Sequence, residues 1–168
     1  MTTHDWQNKV VGWDTVPPEQ LLAHPGNFRR HPGKQRDALR GSLDDLGWIA
    51  PVVVNRSSGH IIDGHARAEE ALTRGVDVPV AFVELTDAEE AEALAVLDAI
   101  SAMAEPDADA LDALLREVHT TDEGLQAMLA DLAKDAGLYL EAAQAAEAEA
   151  LTSVDRAEEL RKKWGTAL

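Results

Sequence analysis

The spacing of apolar and polar residues divides the first hundred positions into short strands and amphipathic helices. A run of strand-forming residues spans 10–16, and a last strand is predicted over 78–85. Residues 51–55 and 60–62 flank a tight turn, so they are predicted to pair as a hairpin.

Helical spacing accounts for most of the remaining residues. Apolar side chains recur at helical intervals over 34–46, with Gly47 as a stop, and a further helix over 64–73 ends at Gly75. Thr86 and Glu89 form a capping-box pattern before a long helix that Pro106 breaks. The other predicted helices span 19–23, 107–118, 122–135 and 153–164, with a low-complexity, helix-prone stretch at 141–150.

This order of elements predicts an α+β fold, a small mixed β-sheet with packed helices, followed by an all-helical acidic extension. The predicted domain covers 8–104, a helical extension covers 105–140, and a helix-prone linker with a short C-terminal helix covers 141–168.

Composition excludes several kinds of chemistry. The chain of 168 residues has no cysteine, so disulfides, thiolate metal sites and a cysteine nucleophile are all excluded. No apolar run approaches the length of a membrane span, so we expect a cytoplasmic protein with no membrane partner.

Charge is distributed unevenly. The formal net charge is −16, yet residues 1–80 carry nine Lys/Arg against ten Asp/Glu. The second half is therefore strongly acidic and would repel a polyanion, because affinity for nucleic acid comes mostly from Lys and Arg at phosphates. A basic island lies at 26–40, where five cations accompany only Asp37.

The segment His60–Arg67 holds the main candidate site. It is predicted to run from a strand through Gly64 into a helix whose first turn carries His65 and Arg67. A helix N-terminus has free backbone N–H groups and a partial positive charge, so this corner suits a phosphate or carboxylate. The alternative is that Gly64 only makes the turn while Asp63 caps the helix. Arg29 and Arg30 follow Asn27 in a polar loop that is the second candidate.

Four stretches together resemble the ParB/sulfiredoxin-like domain, in the phage and prophage type found in front of DNA methyltransferases. They are Asn27–Pro32, Leu46–Val54, Ile61–Arg67 with Ala71, and Val78–Val80. The resemblance implies a nucleotide or DNA phosphate bound near Arg29, Arg30, Asp63, Gly64, His65 and Arg67, with CTP or ATP and Mg²⁺ as the candidate cofactors. It also implies a DNA methyltransferase domain or subunit as partner, since 155–165 resembles the segment that leads into such a domain, and it leaves a homodimer open.

Departures from the family pattern limit the chemistry. Partition proteins carry Gly-Glu-Arg-Arg where this chain has Gly64-His65-Ala66-Arg67, and Ala99 and Ile100 follow Asp98 where relatives have an amide and a cation. Nucleotide hydrolysis is therefore not expected. Sulfiredoxin chemistry lacks its cysteine, and no Asp/Asn-Pro-Pro-Tyr motif supports methyltransferase activity in this chain alone.

Two alternatives to an accessory binding module remain open. One is a metal-dependent ParB-like nuclease or nucleotidase that uses Asp63, His65 and Glu69, with His60 interpreted as a surface residue of the hairpin. The other is a protein-interaction module that acts through the acidic helices.

Overall fold

The computed structural model describes residues 5–138. Among these residues the chain forms two compact units, one of 5–105 with Thr120–Gln126 and one of Pro106–His119 with 127–138. Both candidate sites lie in the first unit. The predicted linker and helix over 141–168 fall outside the described residues.

The first unit is built on a four-stranded sheet with the order β1-β4-β2-β3. The strands are β1 (Val10–Val16), β2 (Val52–Asn55), β3 (Ile61–Asp63) and β4 (Val78–Val83). β4 pairs antiparallel with β1 and parallel with β2, and β2 pairs antiparallel with β3. The sheet is therefore mixed, and the predicted α+β class is confirmed.

Five α-helices lie among the described residues. They are α1 (Gly33–Leu46), α2 (His65–Arg74), α3 (Asp87–Ser101), α4 (Ala108–Glu117) and α5 (Glu123–Asp135). The capping box predicted at the start of α3 is present, with the Thr86 hydroxyl accepting from the Glu89 backbone and the Glu89 carboxylate accepting from the Thr86 backbone. None of these helices is long and apolar enough to cross a membrane.

The core lies where α2 packs on the central strands. Its buried members are Val52, Val54, Ile61, Ala68, Ala71, Val78 and Val80, with Trp48 and Phe82 packed at the margin. Because β2 and β4 contribute alternate residues to this face, the β-branched run at 52–54 is fixed in register. The core therefore sets where β3 ends and α2 begins.

Two local predictions need correction. The helix expected over 19–23 is a single 3-10 turn at Pro18–Gln20, because the backbone of Leu22 instead forms a bridge with His60. The strand expected to reach Leu85 ends at Val83. Beyond it, the backbone N–H of Leu85 donates to the Asn55 side chain at 3.1 Å instead of to a neighbouring strand.

Candidate anion-binding site

Gly64 makes the corner between β3 and α2. Its backbone is left-handed, with φ 91° and ψ 24°, a conformation that glycine adopts without strain. A Cβ there would lie 3.2 Å from Val52 Cγ2 and 3.0 Å from Arg67 Nη2. Both the conformation and the crowding therefore require glycine at this position.

The first turn of α2 has unsatisfied donors. Ala68 N–H donates to Gly64 O at 3.0 Å, and no side chain caps the helix. Within residues 5–138, the backbone N–H groups of His65, Ala66 and Arg67 have no hydrogen-bond acceptor. These three donors lie at the positive end of the helix dipole and form a candidate anion-binding site. Asp63 does not cap them.

Arg67 folds back over the corner. Its Nη2 donates to Asp63 Oδ2 at 2.8 Å and to Pro51 O at 3.2 Å. Its Nε is buried and is the one buried side-chain polar atom of the described residues that has no partner. The Arg67 charge is thus partly neutralised by Asp63, while one of its donors remains unused. The i,i+4 spacing of Asp63 and Arg67 is the sequence signal that could have predicted this pair.

His65 acts as an acceptor rather than as a cation. Its Nε2 accepts the backbone N–H of His24 at 3.4 Å. Burial lowers the pKa of His65, and this effect outweighs the opposing attraction of Asp63. The neutral ring therefore connects the loop that begins at His24 to the start of α2.

Within the loop, the two arginines differ in availability. Arg29 Nε forms an ion pair with Asp98 Oδ2 on α3 at 2.6 Å, and its guanidinium lies 5.4 Å from the centre of the exposed Phe28 ring. Arg30 is exposed and has no ion pair or hydrogen bond among residues 5–138. The structure therefore brings His24 to the α2 corner, directs Arg29 to α3, and leaves Arg30 as the available guanidinium of the loop.

A buried cluster was missed by the sequence reasoning. The Glu90 carboxylate, in a residue only 4% exposed, lies 3.0 Å from His24 Nε2 and 2.8 Å from His60 Nδ1 through Oε1. Its Oε2 accepts from Ser58 Oγ at 2.7 Å and from Asn55 Nδ2. His60 lies in the hairpin as expected, but its ring is half-buried and faces this cluster.

Hydrogen bonding sets the ionisation of Glu90. Burial by itself raises the pKa of its carboxyl, but the donors Asn55, Ser58 and His60 together lower the pKa below its ordinary value. The carboxylate is thus ionised near neutral pH. No sequence signal marked it, because its partners lie thirty or more positions away and Glu90 resembles any other acid of an acidic helix.

The carboxylates and the imidazole suggested for a metal-dependent nuclease are engaged elsewhere. Asp63 is paired with Arg67, and Glu69 accepts from Arg36 Nη2 at 2.9 Å. His65 Nε2 holds the loop. In the part of the chain that the structure describes, His24, His60 and Glu90 are the one group of three such ligands close enough together to hold a metal ion.

Comparisons with known proteins give structural neighbours only. The fold is similar to that of the C-terminally truncated chromosome-partitioning protein ParB from Caulobacter crescentus complexed with CTP-gamma-S, with a TM-score of 0.48 and 24% identity over 62% of this chain and 63% of that one. It is also similar to a Pnob8-like ParB-N domain, with a TM-score of 0.45 and 19% identity over 57% of this chain and 39% of that one.

This chain therefore spans less than two thirds of either neighbour. No protein-family model matches the sequence, and no curated protein matches it. One neighbour is a truncated ParB and the other is a ParB-N domain, so both are ParB structures, and the sequence resembles the same family.

Proposed function

We propose that this chain is a ParB/sulfiredoxin-like accessory module of a phage or mobile-element DNA-modification system. It binds the phosphates of a nucleotide, CTP or ATP with Mg²⁺, or of DNA, at the N-terminus of α2 and has no methyltransferase activity of its own. The observation that carries the proposal is the set of three unpaired backbone donors at His65–Arg67 beside the unpaired Nε of Arg67.

Each predicted residue has a part in the proposal. Gly64 lets the phosphate approach the backbone, since a Cβ would fill the corner. Arg67 supplies charge-assisted hydrogen bonds once Asp63 yields part of its contact. Arg30 is the exposed cation that can close over the ligand, whereas Arg29 and His65 hold the loop in place.

A small nucleotide fits the charge distribution better than long DNA. The net charge of −16 disfavours a long polyanion, which would extend beyond the basic island onto acidic surface. A nucleotide needs only the corner and the loop. Phe28, exposed and beside Arg29, is an aromatic surface on which a base can stack.

Calorimetric titration at low salt tests the proposal, with CTP, ATP and a short DNA duplex as separate ligands. We expect Arg67→Ala to weaken binding by about 10-fold, the value of one charge-assisted hydrogen bond. Arg74→Ala is the matched control, because Arg74 lies at the other end of α2 in a pair with Asp44. Absence of binding by every ligand, or equal affinity for wild type and Arg67→Ala, refutes the proposal.

The proposed partner is a DNA methyltransferase domain or subunit. Its support is the sequence of residues 155–165, which lies outside the described part of the chain, and a homodimer is a further proposal of the same kind. Co-expression with a methyltransferase encoded beside this chain, followed by size-exclusion chromatography, tests both proposals. Separate elution of the two proteins would contradict the partner assignment, and a monomeric mass would contradict the homodimer.

A further inference from the structure

Two buried glutamates of the first unit have different partners. Glu70 is 3% exposed and is bracketed by two guanidinium groups, from Arg36 at 3.6 Å and Arg40 at 3.1 Å. Glu90 is as deeply buried, but within residues 5–138 the only basic side chains beside it are the imidazoles of His24 and His60, with no Lys or Arg. A buried carboxylate without a permanent cation is costly, so its charge calls for a positive partner.

The surroundings of Glu90 have the ligand chemistry of a transition-metal site. Two imidazole nitrogens and one carboxylate oxygen lie within 4.8 Å of one another. Two histidines with one glutamate are a known zinc ligand set that keeps a fourth position for water. Hard cations such as Mg²⁺ and Ca²⁺ prefer oxygen ligands throughout, so this donor set disfavours them.

The supporting contacts fit as well. Oε2 of Glu90 is held by Ser58 and Asn55, which leaves Oε1 directed at both rings. Hydrogen bonds of this kind orient a ligating carboxylate. The side chains of His24 and His60 are 15% and 29% exposed, so an ion has access from solvent.

We propose that His24, His60 and Glu90 bind one divalent transition-metal ion of the zinc class. The ion contacts His24 Nε2, His60 Nδ1 and Glu90 Oε1, with water in the fourth position. In the metal-free state His24 Nδ1 accepts the Gly26 N–H at 2.9 Å, so the proton of that ring lies on Nε2. His60 Nδ1 carries a proton as well, because it faces a carboxylate oxygen that can only accept. Metal binding moves the ring proton of His24 from Nε2 to Nδ1 and that of His60 from Nδ1 to Nε2, and the change at His24 breaks the hydrogen bond from Gly26.

This site is separate from the proposed phosphate corner. Its ligands come from the His24 loop, the turn before β3 and the first turns of α3. An ion there links these three segments. The assignment therefore does not depend on whether a nucleotide binds at α2, and the two proposals fail independently.

Titration of tag-free protein with ZnCl₂, and with CoCl₂ as a visible-absorption probe, tests the site. We expect one equivalent bound per chain and a tetrahedral Co²⁺ spectrum. His60→Gln removes a ligand and should abolish both. Ser58→Ala removes a support of the carboxylate and should weaken affinity by about 10-fold. His31→Gln is the matched control, because His31 contacts Gln35 and lies outside the cluster.

Two measurements on the wild-type protein, metal uptake and an amide chemical shift, test the proposal even if a variant folds poorly. In wild-type protein, zinc should shift the backbone amide resonance of Gly26, which loses its acceptor on His24. No uptake of either metal by the wild type would overturn the proposal. The cluster would then be a structural hydrogen-bond network that joins the three segments. Uptake that persists in His60→Gln, or zinc-induced shifts confined to His31 and His119, would also overturn it.

Discussion

Replacement of Glu90 by alanine tests how much the cluster contributes to stability. The carboxylate accepts hydrogen bonds from Asn55, Ser58 and His60, and its Oε1 lies 3.0 Å from His24 Nε2. Ser58 and His60 are partly exposed and can turn to water. The Asn55 amide, in a residue 1% exposed, cannot do so readily. One of its N–H groups keeps Leu85 O as acceptor, and the other, which faces Glu90, loses its acceptor.

Each buried donor left without an acceptor costs about 1–3 kcal/mol. For this one donor the expected loss is about 1–3 kcal/mol, and the better helix propensity of alanine offsets less than about 0.5 kcal/mol of it. A domain of this size has a free energy of unfolding of about 5–15 kcal/mol, so such a loss is large.

Urea denaturation at neutral pH with EDTA present measures this loss. Glu92→Ala is the matched control, because Glu92 is an exposed acid on the same helix, and we expect a change within about 0.5 kcal/mol. Glu90→Gln keeps the volume but places an amide N–H₂ against donors, so it should also destabilise. A loss no larger than that of the Glu92→Ala control, about 0.5 kcal/mol, would refute the reasoning that the buried Asn55 donor depends on the carboxylate.

Three further predictions concern the α2 corner. Gly64→Ala should destabilise the protein by about 1–2 kcal/mol, because alanine is strained at φ 91° and its Cβ would crowd Val52. Thermal denaturation measures this, with Gly33→Ala as the control because a Cβ at Gly33 would meet no neighbouring atom. Equal melting temperatures for the two variants would contradict the prediction. Asp63→Asn releases Arg67 from its ion pair and should raise the affinity for CTP by up to about 5-fold, the value of an exposed ion pair of about 1 kcal/mol; weaker binding in calorimetry would contradict the assigned role. Burial lowers the pKa of His65, so the unfolded chain takes up a proton at a higher pH than the folded chain does. The contribution of neutral His65 to stability is therefore complete above pH about 6.5 and is lost as the pH falls toward the lowered pKa. The unfolding free energy of His65→Gln should depend less on pH below about 6.5 than that of the wild type, and an equal dependence would contradict the prediction.

Local signals predicted the backbone of the corner. The β-branched run at 52–54, the glycine at 64 and the Thr86–Glu89 pair each determine structure within a few residues, and each feature is present. The helix expected at 19–23 does not form, because tertiary contacts hold Leu22 in an extended conformation. Leu22 forms a β-bridge with His60, and the backbone N–H of Ile61 donates to Leu22 O at 2.8 Å.

Contacts between side chains that are far apart in the sequence could not be predicted from the sequence. Glu90 joins residues from three segments, and periodicity carries no information about which acid of α3 turns inward. Arg29 pairs with Asp98 across sixty-nine positions for the same reason. The Asp63–Arg67 pair is different, since its four-residue spacing was visible in the sequence.

The central claim is that the first turn of α2 receives a phosphate, and amide NMR on ¹⁵N-labelled protein titrated with CTP tests it most directly. The account predicts saturable shifts of the backbone amides of His65, Ala66 and Arg67, with smaller changes in the loop around Arg30 and none at Arg74. If these three amides do not move while nucleotide binds elsewhere, or if no amide moves at all, the claim is contradicted.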